Sequence, residues 1–388
     1  MTIGAQLQTS SDLSERVKEL LPLIDENAEF ADDEGELAPA VVDAFHRAGM
    51  FKMWVPKELG GAELSPLESL DVLALTSYAD ASAGWVQMAA CLSIGTGAAY
   101  LGDSAIAEMF TDDHYPVIAG QGTRPGTAVP TEGGYLVSGS WSFASGLKHG
   151  SHIHTLAIIE TTGEPRIFVV PVEKAELIDN WDVMGLRGTG SIDYNIHAVF
   201  VPEDYSHFAF TQQPKRGGVL YNLGIIGFAE ICHSGWAIGV GRRLLDELAE
   251  LTRSKVGRPG TQTDSDAFHQ GFAQAEATYR AARALVYEAW TEATEAIGQG
   301  DPLTLRQDTL IRLALGHMTS SLLETANYVY LAAGTTALRR GTIQRLVRDV
   351  HAGTQHVTSG PGMWQSCGRE LLGLAEGKKW QLLDLVDA

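Results

Sequence analysis

The sequence predicts an α+β protein in three parts: an N-terminal helical domain over residues 1–113, a central β-barrel or sandwich over 114–212, and a C-terminal four-helix bundle over 213–388. Three observations predict it. Apolar residues recur at helical spacing at both ends of the chain. In the middle they switch to a period of two, punctuated by glycine and proline. Within that middle part, the stretch 181–202 is a glycine turn (Gly185, Gly188, Gly190, with Arg187 between them) that feeds the alternating run Ile192, Tyr194, Ile196, Ala198, Phe200 and stops at Pro202.

Length and composition bound the function. A chain of 388 residues is too long for one small core, so two or three packed units are expected. Apolar residues make up 45% and charged residues 20%, ordinary values for a globular enzyme. A net charge of −20 speaks against nucleic acid and anionic membrane as partners, and it fits poorly with gathering a highly anionic CoA thioester. The first residues lack a cationic-then-apolar leader, and no apolar run approaches the roughly 18–20 residues of a membrane span. Cys91, Cys232 and Cys367 are far apart and without CxxC spacing, so neither a disulfide nor a zinc site is expected. The expected location is the reduced cytoplasm.

In chain order, Val17, Leu20, Leu21 and Ile24, then Val41, Val42 and Phe45 after Pro39, predict two helices within 12–48. Residues 51–62, with Trp54, Pro56, Gly60 and Gly61, read as a connector, and 67–79 and 84–101 as helices again. Strands are expected at 116–121, 134–144, 153–160, 166–172 and 192–201. Long amphipathic helices follow near 222–255, 264–298, 303–331 and 342–376, with breaks at Gly257–Thr263 and Gly298–Pro302; faces this long are buried against one another in a bundle.

Several residues are candidates for chemistry. In the glycine turn, three glycines permit close backbone approach to a ligand and leave amides free to face it; the same pattern also suits an ordinary hairpin. Alternation places Trp141, Phe143 and Ser145 on one strand face, an apolar wall with one hydroxyl, or simply part of a β core. His351 and His356, five apart on a helix, diverge by about 140° and do not share a metal site. No strand–GxGxxG–helix unit is present, so no nicotinamide site is visible.

Three stretches carry a resemblance. Met184-Gly-Leu-Arg-Gly-Thr-Gly-Ser191 with the following strand is similar to the middle domain of the acyl-CoA dehydrogenase superfamily. Gly134 to Gly146 is similar to its flavin-facing β segment, and Gln344 to His356 to its last long helix. More closely, they resemble the flavin-dependent monooxygenases of that fold, two-component aromatic hydroxylases. The resemblance implies FAD, used as FADH2 (FMN remaining open), with dioxygen as co-substrate and a separate NAD(P)H-dependent flavin reductase. It also implies a homodimer or homotetramer.

It further implies roles. His356 approaches the reactive flavin carbon, and Ser142 or Ser145 faces the ring, which of the two depending on strand register. Gln121, Thr123, Trp141, Phe143, Arg187, Thr189 and Ser191 line the flavin; Arg242, with Gly239 and Arg243, lies on a helix that helps bind cofactor phosphates. Gly334, after Tyr330, meets the partner's flavin. Two departures matter. The dehydrogenase's catalytic Glu, eight residues after the Arg-Asp pair, falls on Val357, and no carboxylate lies between Asp349 and Glu370. The phenol-binding His, nine residues after Gly84-Trp85, falls on Ser93, which points to an indole-like ring rather than a simple phenol. Met53, Trp54, Trp85, Met88, Cys91 and Leu92 are the other candidates for its pocket. The expected activity is therefore hydroxylation of an electron-rich aromatic or heteroaromatic through a flavin C4a-hydroperoxide. The alternatives are an acyl-CoA dehydrogenase or flavin oxidase, and a non-catalytic flavin-fold binding module.

Overall fold

A computed structural model describes residues 11–111, 115–257 and 263–388. The N-terminal part begins with α1 (Asp12–Glu26), α2 (Ala28–Glu34) and α3 (Pro39–Ala48), three helices where two were expected. Asn27 caps α1, and Gly35, at φ +69°, ends α2. Helices α4 (Pro66–Ala79) and α5 (Ala81–Tyr100) then form a buried pair, followed by α6 (Asp103–Met109). Of the twenty residues of α5, all but Ala89 and Leu92 are buried, and these two lie one turn apart on one face.

The central part is one seven-stranded sheet, ordered β5-β6-β2-β1-β3-β4-β7. Its strands are β1 (Ile118–Thr131), β2 (Gly134–Ala144), β3 (His152–Ile159), β4 (Pro165–Pro171), β5 (Glu176–Ile178), β6 (Ile192–Pro202) and β7 (Ser206–Phe208). β1 is twice its expected length because it bends through a register shift between Gln121 and Gly126 and continues into the turn with β2.

The C-terminal part contains α7 (Gly224–Lys255), α8 (Asp266–Gly298) and α9 (Leu305–Ala333), close to expectation. The expected break at Gly257–Thr263 falls partly outside the described residues. The fourth long helix is not continuous. It ends at Gly353 as α10 (Thr342–Gly353), passes through a single turn at Val357–Ser359, and resumes as α11 (Pro361–Leu371). Gly353 lies so close to Trp236 that a Cβ would sit 2.4 Å from its ring, and Gly360-Pro361 cannot continue a helix. A hairpin not expected from the sequence, β8 (Lys378–Gln381) with β9 (Asp384–Asp387), covers α9 through Trp380, which donates to Thr309 Oγ1 at 2.9 Å. The segment Val219–Lys255 is long and apolar enough to cross a membrane, contrary to the expectation from the sequence, but 89% of its most apolar window is buried inside the chain as the core of the bundle.

Candidate active site

The three parts meet at a cluster of hydroxyls and rings. Trp85 of α5 donates its indole N–H to Ser145 Oγ at 3.1 Å. Ser145 lies 2.7 Å from Ser191 Oγ, and Ser191 lies 2.6 Å from Thr189 Oγ1. Thr189 Oγ1 is in turn 2.7 Å from the Leu186 carbonyl. A carbonyl only accepts, so Thr189 spends its proton there, Ser191 donates to Thr189, and Ser145 donates to Ser191. The chain has one direction, and Ser145 is left with a lone pair and no proton for a ligand.

Next to this chain stand two imidazoles. His356 and His233 stack at 4.1 Å between centroids with a 30° interplanar angle, and Trp85 meets both rings edge-on at 5.9 and 5.2 Å. Trp236 closes the group at 5.1 Å from Trp85. The Thr358 backbone N–H donates to His356 Nδ1, with Thr358 Oγ1 2.9 Å from the same nitrogen. Nδ1 is thus an acceptor and the neutral ring carries its proton on Nε2. Burial pushes His356 down to about 4, and burial with the neighbouring His356 pushes His233 well below its ordinary value. Both rings are neutral near pH 7. This group contains no carboxylate.

His356 therefore sits in the break between α10 and α11, capping the short turn, and the helical angle between His351 and His356 has no meaning here. His351 stays outside the cluster. His233 carried no signal in the sequence beyond being an internal His on an apolar helix; only the antiparallel register of α5 and α7, with Trp236 donating to Ala81 O at 3.0 Å, brings it to His356.

The strand face expected for Trp141, Phe143 and Ser145 does not exist. Trp141 is buried in the sheet core, stacked on Tyr194 at 5.2 Å and donating to Leu156 O, so it is not a flavin wall. A register slip between Trp141 and Ala144, with Phe143 at φ +67°, breaks the period of two. Phe143 turns outward, 65% exposed, edge-on to Trp181 at 6.1 Å. Met184, in the glycine turn, is likewise exposed, at 58%. The same slip brings Ser145, rather than Ser142, to Trp85 and Ser191.

The glycine turn also differs from expectation. Its glycines approach protein, not a free ligand surface. A Cβ on Gly185 would lie 2.1 Å from Arg348 O, and one on Gly188 2.7 Å from Ala31 Cβ. Three of its amides bond within the protein: Leu186 N donates to Asp349 Oδ1 at 2.6 Å, Thr189 N to Leu186 O at 3.1 Å and Gly190 N to Arg187 O at 3.3 Å. Burial, then Asp80, pushes Asp349 up to about 7.

Both candidate arginines are engaged by the protein itself. Arg187 donates to Asp32 O at 2.7 Å and Val183 O at 3.3 Å, pinning the turn to the N-terminal helices. Arg242, almost fully buried, is held by Asp246 at 2.8 Å and by both Glu276 oxygens at 2.9 Å. Gln121 Oε1 accepts from Arg124 N at 3.0 Å, on the bend of β1. Thr123 lies on the same bend, with its side chain outside the described residues. Ser93 is buried on α5, about two turns beyond Trp85 and one turn beyond Ala89. Gly334 is exposed at the end of α9, with open space around it, and forms no part of the cluster.

Comparison with known proteins agrees with this architecture. Residues 13–110 match the family described as acyl-CoA dehydrogenase, N-terminal domain, and residues 231–360 match acyl-CoA dehydrogenase, C-terminal domain. The indole-3-acetate monooxygenase of Pseudomonas putida is 30% identical over 352 residues, covering 88% of this chain and 89% of that protein. The flavin-dependent monooxygenase, oxygenase subunit HsaA, of Mycobacterium tuberculosis is 27% identical over 371 residues, covering 89% and 91%. The crystal structure of that monooxygenase has a TM-score of 0.87 over 94% of this chain and 97% of its own at 24% identity. XiaF from a Streptomyces species, solved with FADH2 and glycerol, has a TM-score of 0.84 at 24% identity over 93% and 95%.

Proposed function

The chain belongs to the acyl-CoA dehydrogenase family, in its flavin-dependent monooxygenase branch, and from that premise we propose that it hydroxylates an electron-rich, indole-like aromatic using FADH2 and dioxygen. The observation that carries the reading is the directed hydroxyl chain ending at Ser145, opposite a His356 whose proton is on Nε2. Reduced flavin carries a hydrogen on N5, and oxidised flavin does not. A serine that can only accept toward the ring fits the reduced form. The exposed Phe143 ring, edge-on to Trp181, fits a flat ring lying against it.

When bound and reduced, the flavin supplies two electrons to dioxygen, so that one oxygen atom enters the aromatic ring and the other leaves as water. The chain's own tasks are then few. Ser145 fixes the ring edge, Trp85 and Trp236 keep water out, and His356 Nε2–H holds a proton beside the reacting oxygen. FMN is a second flavin that this site would accept. Reduced flavin comes from a separate reductase. Exposed Leu331, Leu338 and Leu372 on the C-terminal bundle support assembly into a homo-oligomer. The gathered residues include no carboxylate base for removing an α-proton from a thioester, with Val357 at the position that would need one.

The test is anaerobic mixing of the protein with FADH2, followed by oxygenated buffer in a stopped-flow spectrometer. A transient species distinct from reduced and oxidised flavin, outliving that of free flavin, and product formation from indoles support the reading. Immediate oxidation without a transient, or bleaching of bound FAD by an acyl-CoA, overturns it.

A further inference from the structure

A small cleft of about 170 Å³ lies at β7, the edge strand of the sheet, bordered by Tyr100 at the end of α5 and by residues 211–215 on the way to α7. Trp85 and Tyr100 are fifteen positions apart on α5, which at a rise of about 1.5 Å per residue sets this cleft about 22 Å from the Trp85 cluster. His207 is on its wall. The residue is 5% exposed, and its Nε2 is buried with no hydrogen-bond partner among the described residues. Nδ1 lies 2.9 Å from the Phe208 carbonyl, which only accepts, so Nδ1 carries the proton of the neutral ring and Nε2 presents a bare lone pair. Burial, with the charges of Arg166 and Lys215 adding to it, pushes His207 down to about 4, so the ring is neutral near pH 7. A buried acceptor left unpaired on a cleft wall calls for a ligand that donates.

The other polar groups of the wall call for an anion. Arg166 spends three of its five N–H groups, Nε and Nη2 on Ser206 Oγ at 3.3 and 3.0 Å and Nη1 on Glu164 at 3.0 Å, and keeps two. Lys215 is anchored by its backbone N–H to Ala99 O at 2.9 Å, while its ammonium enters no ion pair or hydrogen bond among the described residues. Thr211 Oγ1 accepts from Gln213 N at 3.2 Å and has its own proton to give. The two cations stand together in a chain whose net charge is −20. One small ligand meets both demands, an oxyanion that keeps a proton. We propose that this cleft binds inorganic phosphate, its O–H donating to His207 Nε2 and its anionic oxygens facing Arg166, Lys215 and Thr211. The proton is the discriminating feature. Sulfate has the same shape but no proton near pH 7, and a phosphate monoester has lost most of its last proton there. Either would set an oxygen lone pair against that of Nε2. Phosphate in the cleft joins the sheet edge to α5 and to the segment entering α7. The assignment does not depend on the oxygenase reading.

The experiment is titration calorimetry of the full chain, saturated with FAD at pH 7, with inorganic phosphate, methyl phosphate and sulfate. The wild type should bind phosphate at least about tenfold more tightly than the other two, the value of one hydrogen bond to a neutral imidazole. His207→Leu removes the acceptor and should bring the three ligands within about twofold of one another. Lys215→Gln, at an exposed position, should weaken phosphate binding by roughly tenfold; it locates the binding in this cleft even if the His207 variant does not fold, which circular dichroism establishes. Equal binding of phosphate and sulfate by the wild type, no saturable phosphate binding, a preference that folded His207→Leu retains, or a phosphate affinity that Lys215→Gln leaves unchanged overturns the assignment. Each of these results leaves the oxygenase reading to its own stopped-flow test.

Discussion

Thr189→Val is the substitution that most directly tests the directed hydroxyl chain. Valine matches threonine in shape and removes only the hydroxyl. The Leu186 carbonyl stays satisfied, since it also accepts from Trp181 Nε1 at 3.1 Å and from Thr189 N at 3.1 Å. Ser191, deprived of its acceptor, turns its proton to Ser145 at 2.7 Å. Ser145 then has its own proton free and becomes a donor toward the flavin. The reduced form loses one hydrogen bond and the oxidised form gains one, each about 1 kcal/mol. The sum is about 2 kcal/mol, a roughly thirtyfold change in the ratio of the two dissociation constants. For a two-electron couple that lowers the potential of the bound flavin by about 40 mV. Fluorescence titration with FAD, anaerobic titration with FADH2, and a redox titration of the complex measure it. A folded Thr189→Val protein with an unchanged affinity ratio and potential would refute both the direction of the chain and the contact of Ser145 with N5.

Other perturbations address the scaffold. Gly185→Ala forces a methyl onto the Arg348 carbonyl and should lift the turn from α10, breaking the Leu186–Asp349 bond, at a cost of about 2–5 kcal/mol and with loss of flavin affinity. Gly163→Ala, at φ +72° with nothing nearby, should cost only about 1 kcal/mol in the same thermal melts. Asp349→Asn keeps the acceptor for Leu186 but cannot ionise. The native carboxyl, pushed up to about 7, holds a proton that the unfolded chain has released, so the wild type loses stability relative to the variant as pH rises through 7. Melting curves at pH 5 and pH 8 should show the difference growing by a few degrees at the higher pH, and equal differences would show that Asp349 is ionised throughout. His356→Ala should retain flavin while product falls about a hundredfold and oxygen uptake is diverted to hydrogen peroxide; unchanged product yield would remove His356 from the reaction.

Much was legible in the chain itself, because the patterns involved are local. Helical and two-residue periodicities marked the α–β–α order, since each element must bury one face, and the Met184–Ser191 and Gln344–His356 stretches marked the family. The break after Gly353 was legible too, in Gly360-Pro361, yet the amphipathic run on either side masked it. Ser145, Ser191, Thr189 and His356 could be named from position, but not their relation. That depended on one bulge at Phe143, which no period can express and which decided that Trp141 enters the core while Ser145 meets Trp85. Arg187 and Arg242 looked like phosphate ligands because an arginine's partner is invisible until distant carbonyls and carboxylates arrive beside it. His233 was hidden for the converse reason: it means nothing without His356, 123 positions away and on another segment. The sequence by itself determined the elements, their order and the chemistry available. Tertiary structure alone decided which side chains share a site and which way their protons point, because hydrogen bonds and burial act between atoms that only folding brings within 3 Å of each other.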